Sequence, residues 1–455
     1  MYQNVYYQRE KNLVHLWDDK QGYRSFPYTR YAYEKAERGE AVSLYGDRLT
    51  KIYKFSKDDP DLFESDVPET TRVLVDTYTD SDLPSEGHVI LTYDIECEME
   101  SGLPNPEEAN NELTSIALHD SATNQAWVLV MDKGGKMIEK KTDKCIVLPF
   151  RDERDMLEKY LELYEYINPT IVTGWNIDYF DTPMLYNRIK KLLGERQANR
   201  LSPIGKCFWS PYRKRFFMAG VSYLDYLALY KNFTYSELDN YRLDSIAQKE
   251  LGKGKIEYDG NLDILFKDDI EKFIEYNLVD VELVVDMDKK LQFIDTARGI
   301  CHAGHVPYED FVYSSKYLEG ALITYLKIKG IVAPNKPAES LFDLSIDPQE
   351  FNDLANNPNM EEQLKEMRKI HDLWMKEIMD VGLIPEAIMR RWEKENDQPI
   401  YQWIRDQKDF YDELLLMSST ENEKVLLDGL NHANEAVRYW AGQGFYNLNK
   451  RIGNT

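Results

Sequence analysis

The chain has 455 residues, 43% of them hydrophobic and 30% charged, with 80 acidic against 56 basic side chains and a formal net charge of −24. That length allows two to four domains with real cores, and no apolar run approaches the roughly 20 residues needed to span a bilayer. The acidic balance is a poor field for attracting nucleic acid at long range, although a local basic groove or bound cations can reverse it at one site.

Cys97, Cys145, Cys207 and Cys301 are scattered without paired spacing, which favours a reduced, cytosolic setting. The N-terminus has neither the basic start nor the apolar core of a signal peptide, so a soluble intracellular protein is expected. Residues 1–86 alternate short apolar and aromatic runs with polar turns, the pattern of a small strand-rich α/β domain, and 81–87 is a linker.

The stretch 88–96 is a β-branched and aromatic run expected to form a buried strand. Side chains alternate along a strand, so Asp94 and Glu96 point the same way, about 7 Å apart. Two neighbouring carboxylates repel and are costly to desolvate, which suits a divalent cation with hard oxygen ligands. A strand end whose acids face water would carry the same residues. Stretches 112–119 and 126–131 read as the next strands, 152–166 as a helix and 170–173 as a further strand, giving a mixed sheet flanked by helices, an α/β class.

Gly174 should end that last strand, with Asp178 as N-cap of the next helix and Asp181 in its first turn ahead of Pro183. An aspartate there can serve the helix dipole or a ligand site equally. The segment 206–217 interleaves Arg213, Lys214 and Arg215 with aromatics, which suits phosphates and unstacked bases, or an exposed hairpin whose aromatics pack on their own domain. A helix is expected over 268–291, opened by a capping box at Asp268 and Glu271, with Phe273, Ile274, Asn277, Val281 and Val284 as its buried stripe. Tyr276 and Asp280, four apart, project from one face beside that stripe. Cys301, His302 and His305 match no common zinc spacing.

Four acids on three elements therefore stand out: Asp94 and Glu96, Asp181, and Asp280 with Tyr276 one turn before it. Phosphodiester hydrolysis uses such a set to hold two cations roughly 3.5–4 Å apart, and a tyrosine hydroxyl can orient the attacking water. In Asp94-Ile95-Glu96, in Asn176-Ile177-Asp178-Tyr179-Phe180-Asp181 and in Tyr276-Asn277-Leu278-Val279-Asp280, the chain resembles the amino-terminal and 3′–5′ exonuclease domains of family B DNA polymerases of the tailed-phage replicative type. The text over 193–203, 224–231 and 254–260 is similar as well, and the likeness covers about 1–337.

The resemblance implies a ribonuclease-H-like sheet over 87–292, an amino-terminal domain over 1–86, and a return segment leading to a truncated palm over 293–337. It implies two Mg²⁺ or Mn²⁺ ions on Asp94, Glu96, Asp181 and Asp280, with Tyr276 orienting water and Lys255 close by. Asn176 and Phe180 fall where the family contacts the 3′ end, and 206–217 falls at the hairpin that moves a primer end. The implied partner is single-stranded or frayed primer–template DNA, with no membrane. Thr79-Asp80-Ser81-Asp82 is similar to an acidic polymerase signature but lies in linker sequence. Beyond 337 no Ser-Leu-Tyr-Pro-Ser or Asp-Thr-Asp-Ser element follows, so synthesis is not expected. The tail 338–455 is expected to be mostly helical, amphipathic over 361–379, and looks like the carboxy-terminal end of bacterial arylsulfatases without any Cys-x-Pro-x-Arg setting.

Overall fold

In a computed structural model, the residues described are 1–335 except 57, 58, 60, 101, 211–214, 235–237 and 239, then 365, and 384–452 except 397–399, 405–407 and 421. They belong to two compact units, Met1–Lys336 and Pro337–Thr455.

The first unit is organised on a seven-stranded mixed sheet. Its centre is an antiparallel meander of Ile90–Cys97, Leu113–Asp120 and Gln125–Met131. Ile171–Thr173 pairs parallel to the first of these and Ser222–Tyr223 parallel to that, while Cys145–Phe150 runs parallel to Gln125–Met131. Each strand expected from hydrophobic runs is present, with its ends within two residues of those expected. The strand Cys145–Phe150 and the two-residue strands Lys140–Lys141 and Ser222–Tyr223 were not foreseen. Cys145–Phe150 has Pro149 within it and is only half-buried, and two residues are too few to display a period of two.

Strand alternation gives the sheet two faces. Tyr93 and Ile95 point into a core with Met156, Leu157 and Tyr160 of helix Glu153–Ile167 and Met184 and Leu185 of helix Asp181–Leu193. On the other face Ala117, Val128 and Val130 pack against Phe273, Ile274, Tyr276 and Val281 of helix Ile270–Leu291. The foreseen stripe of that helix is buried throughout. Its start is one residue later than the expected capping box. Asp268 closes a preceding helix, Leu262–Asp268, and Asp269 is the N-cap, accepting the Lys272 amide at 3.0 Å.

Residues 1–86 hold an antiparallel sheet of Tyr2–Gln8, Leu13–Asp18 and Gly22–Pro27, and helix Glu69–Tyr78. A second sheet there is completed by Ile331–Val332, which pairs parallel to Ala41–Ser43. The chain thus returns after Phe293–Gly304 and Ser314–Ile328 to its own beginning. Tyr2 donates to the backbone oxygens of Cys301 (2.9 Å) and Val306 (2.5 Å) at that return. His302 is buried against Ser85 and Tyr308, and His305 bonds the Tyr78 oxygen at 2.9 Å, so Cys301, His302 and His305 serve packing. Thr79–Asp82 follows the end of a helix, with Ser81 N bonding Tyr78 O at 3.1 Å.

The described part of the second unit is helical: Glu386–Asn396, Ile400–Trp403, Lys408–Ser419, Glu423–Leu430 and Glu435–Ile452. Trp392, Ile404, Tyr411, Leu414, Leu426 and Val437 form its core. The amphipathic segment expected over 361–379 lies outside the described residues, Lys365 apart. No helix among the described residues is long and apolar enough to cross a membrane.

Candidate functional site

The sheet register puts Asp94 opposite Ala117 and Glu96 opposite Ser115. Both acids therefore lie on the face covered by helix Ile270–Leu291, and the small Ala117 leaves room beside Asp94. Helix spacing then brings Asp280, one turn after Tyr276, against that face. Ligand oxygens of Asp94, Glu96 and Asp280 all lie within 4.8 Å of one another. Asp280 is buried, whereas Asp94 and Glu96 keep partial contact with solvent.

Asp181 adjoins this trio from the other side of the strand. The strand Ile171–Thr173 stops pairing at Thr92, so the Ile95 amide beyond it has no ladder partner on that edge. The Asp181 carboxylate accepts that amide at 3.2 Å. Asp181 thus begins its helix while its side chain is tied to the carboxylate strand. The N-cap position is Phe180, with no side-chain capping bond. Asp178, expected to cap, is instead buried, and its carboxylate pairs with Arg215. The turn needs Gly174, because a Cβ there would lie 2.5 Å from both the Tyr93 carbonyl oxygen and the Ile177 side chain.

Lys255 reaches the site from the loop before helix Leu262–Asp268, held by a 2.8 Å bond from its own amide to Asp244. Its ammonium donates to Asp280 at 2.5 Å and to the Tyr276 hydroxyl at 3.0 Å. The second Asp280 oxygen is buried without a hydrogen-bond partner. Tyr258 packs edge-on against Tyr276, centroids 5.2 Å apart.

The electrostatics reflect crowding. Burial, then repulsion from Asp181, Asp280 and Glu96, holds Asp94 well above the usual carboxylate range, with Lys255 opposing. Burial and Asp280 push Glu96 up to about 8. Burial pushes Asp181 up to about 7 against the bond from Ile95. Asp280 is raised by burial despite Lys255. Four acids held this way, with an orphaned oxygen among them, form a hard-oxygen donor set that suits a divalent cation.

The remaining expected residues are divided. Asn176 sits at φ +66° with its amide bonded to Asp225 at 3.0 Å, and Phe180 is half-buried against the main core. Arg213 and Lys214 lie outside the described residues. Arg215 departs from a phosphate-facing role. It is 8% exposed, pairs with Asp178 and donates to the Glu309 carbonyl at 3.3 Å. Next to it Asp225 accepts the Asn176, Asp178 and Leu227 amides. Strands Cys207–Ser210 and Arg215–Met218 do pair as a hairpin. Phe216 packs on Tyr186, whereas Phe208 and Trp209 are 41% and 44% exposed.

Sequence reasoning passed over two contributors. The sequence pattern places Asn277 only in a buried stripe, yet its amide donates to Asp94 at 2.7 Å and accepts from Ser115 at 2.7 Å. A polar residue inside an apolar stripe was the signal for it. Ser115, in a run of buried strand residues, carried none.

Residues 66–246 match the model of the DNA polymerase family B exonuclease domain. The DNA-directed DNA polymerase of Enterobacteria phage T4 is 34% identical over 260 residues, 51% of this chain and 29% of that protein. That of Escherichia phage RB69 is 30% identical over 272 residues, 54% of this chain and 30% of the relative. DNA polymerase 1 of Sulfurisphaera ohwakuensis is 27% identical over 241 residues, 50% of this chain and 23% of that protein. The chain thus spans less than a third of the length of these curated relatives. Residues 66–246 are thus similar to the exonuclease domain of family B DNA polymerases, while the arylsulfatase resemblance of the tail finds no support in these comparisons. Lys255, Tyr276 and Asp280 lie beyond the matched segment and are brought to it by the fold.

Proposed function

We propose that the Met1–Lys336 unit is a metal-dependent 3′–5′ exonuclease acting on DNA 3′ ends, with a ribonuclease-H-like sheet, and is the proofreading part of a replicative polymerase. The observation that carries this is the convergence of Asp94, Glu96 and Asp280 oxygens within 4.8 Å, with Asp181 beside them. The donor set fits Mg²⁺ or Mn²⁺ in charge and hardness. Bound there, two such ions would supply an activated water and neutralise the leaving 3′ oxygen.

The chain's own residues do the rest. Asp94, Glu96, Asp181 and Asp280 hold the cations, and their mutual repulsion favours cation binding over four uncompensated charges. Tyr276, its hydroxyl fixed by Lys255, orients the attacking water. Asn176 and Phe180, on the turn into the Asp181 helix, contact the 3′-terminal nucleotide, and Arg213 and Lys214 meet phosphates. Synthesis is not proposed for residues 1–455, and no reaction is proposed for the tail.

The test is a 3′-end assay on labelled single-stranded and paired DNA with Mg²⁺. Shortening is expected, faster on unpaired ends. Asp94→Ala with Glu96→Ala should abolish it while circular dichroism stays unchanged, and equal activity in that double variant would sink the assignment. A second reading, strand binding without hydrolysis, is favoured by the exposed Phe208 and Trp209, which offer base-stacking surfaces. Binding with no cleavage in Mn²⁺ would select it.

A further inference from the structure

Asn277 is 0% exposed on a stripe that is otherwise apolar, between Ile274 and Val281. A buried amide in that place is tolerable only if its donor and acceptor are both used. Its oxygen accepts the Ser115 hydroxyl at 2.7 Å, and its nitrogen donates to Asp94 Oδ2 at 2.7 Å. The amide orientation follows from chemistry. With a cation bound Asp94 is ionised and offers only acceptors, so the NH₂ faces it, and the hydroxyl, which can donate, satisfies the oxygen.

Ser115 lies on the neighbouring strand, directly opposite Glu96. The chain Ser115–Asn277–Asp94 therefore runs from strand to helix and back to the carboxylate strand. It clamps one Asp94 oxygen at the point where that carboxylate meets the repulsion of three others. Without the clamp, Asp94, the shorter of the two strand carboxylates, would turn away from Glu96 and Asp280 to relieve that repulsion.

We propose that Asn277 is a positioning residue for the cation site, with Ser115 as its anchor. It holds Asp94 in the orientation that keeps the trio of oxygens convergent. This rests on the metal-dependent exonuclease reading for its purpose, but its measurement does not require catalysis. Partners that orient a ligand of a metal typically change affinity by about 10- to 100-fold when removed.

The experiment is calorimetric titration of Mn²⁺ into the full chain, with a parallel 3′-end assay. Asn277→Ala should weaken Mn²⁺ binding by about 10- to 100-fold. Asn277→Asp should not restore it, although it adds a carboxylate, because the new charge faces Asp94. Ser115→Ala, a smaller change chosen in case Asn277→Ala does not fold, should weaken binding less but measurably. Unchanged Mn²⁺ affinity in folded Asn277→Ala, or in Ser115→Ala should the former not fold, overturns the inference while leaving the exonuclease reading intact. Mn²⁺ binding that depends on Asn277 in a protein that cleaves no DNA supports the inference and defeats the exonuclease reading. Absence of Mn²⁺ binding by the unmodified chain overturns both.

Discussion

Arg215 offers a sharp test, because its sequence setting and its structural setting predict opposite outcomes. Its side chain is 10% exposed and that of Asp178 is 5% exposed, and the two are paired. Asp178 already has one buried oxygen without a hydrogen-bond partner, and the buried Asp225 carboxylate lies beside it. Burial raises Asp178 above the ordinary carboxylate range, with Arg215 opposing. Arg215→Ala therefore leaves an uncompensated buried acid, a loss of about 3–5 kcal/mol. At about 2.1 cal/mol/K per residue, the unfolding entropy of the Met1–Lys336 unit is about 0.7 kcal/mol/K, so Tm should fall by about 4–7 °C. Adding Asp178→Asn should recover part of this, since the stranded charge is gone. Single-stranded DNA binding, measured against salt concentration, should keep its slope, whereas loss of a phosphate contact would lower that slope by about one. An unchanged Tm together with a reduced slope would refute the argument.

Three further outcomes are expected. His302 is fully buried with its Nε2 accepting the Ser85 amide at 3.2 Å, and burial, then Arg298 and His88, lower its pKa to about 3. The unfolded chain binds a proton there below about 6.5 that the folded chain refuses, so stability falls as pH drops through the window from 6.5 towards 3, by about 2 kcal/mol at pH 5. His302→Asn should flatten the difference in Tm between pH 7 and pH 5, and an identical pH dependence would contradict this. Gly174→Ala should cost about 1–3 kcal/mol through its contact with the Tyr93 carbonyl and lower 3′-end activity by displacing the turn to Asp181; a thermal melt and the 3′-end assay read the two effects. Lys255→Met should destabilise the metal-free protein by about 1–3 kcal/mol, less than a fully buried pair because the lysine side chain is 29% exposed. Saturating Mn²⁺ should narrow the Tm gap to the unmodified protein, and a gap that stays constant would argue that no cation replaces the ammonium.

Much of the site was legible because its acids sit in strongly patterned elements. Strand alternation alone places Asp94 and Glu96 on one face, and helical spacing places Tyr276 and Asp280 on another. Neither period says that the two faces meet. The Asp178 cap and the Arg215 phosphate contact were local readings of residues whose actual partners lie 37 positions away, each being the other's. The capping box was off by one because Asp268 and Asp269 are equally good caps, and only the end of helix Leu262–Asp268 distinguishes them.

The sequence by itself determined the long strands and helices that carry the site, the mixed α/β class, the acidic residues and the family to which 66–246 is similar, since each depends on near-neighbour periodicity or on motif text. Tertiary structure alone decided the rest. It set which carboxylates converge, closed the sheet edge with Asp181, buried Arg215, and turned Asn277 from a core polar residue into a partner of Asp94 through Ser115. The contacts of Asp181 and Asn277 join residues 86 to 183 positions apart at the carboxylate strand, and their geometry exists only once the strand, the turn at Gly174 and the long helix are packed together.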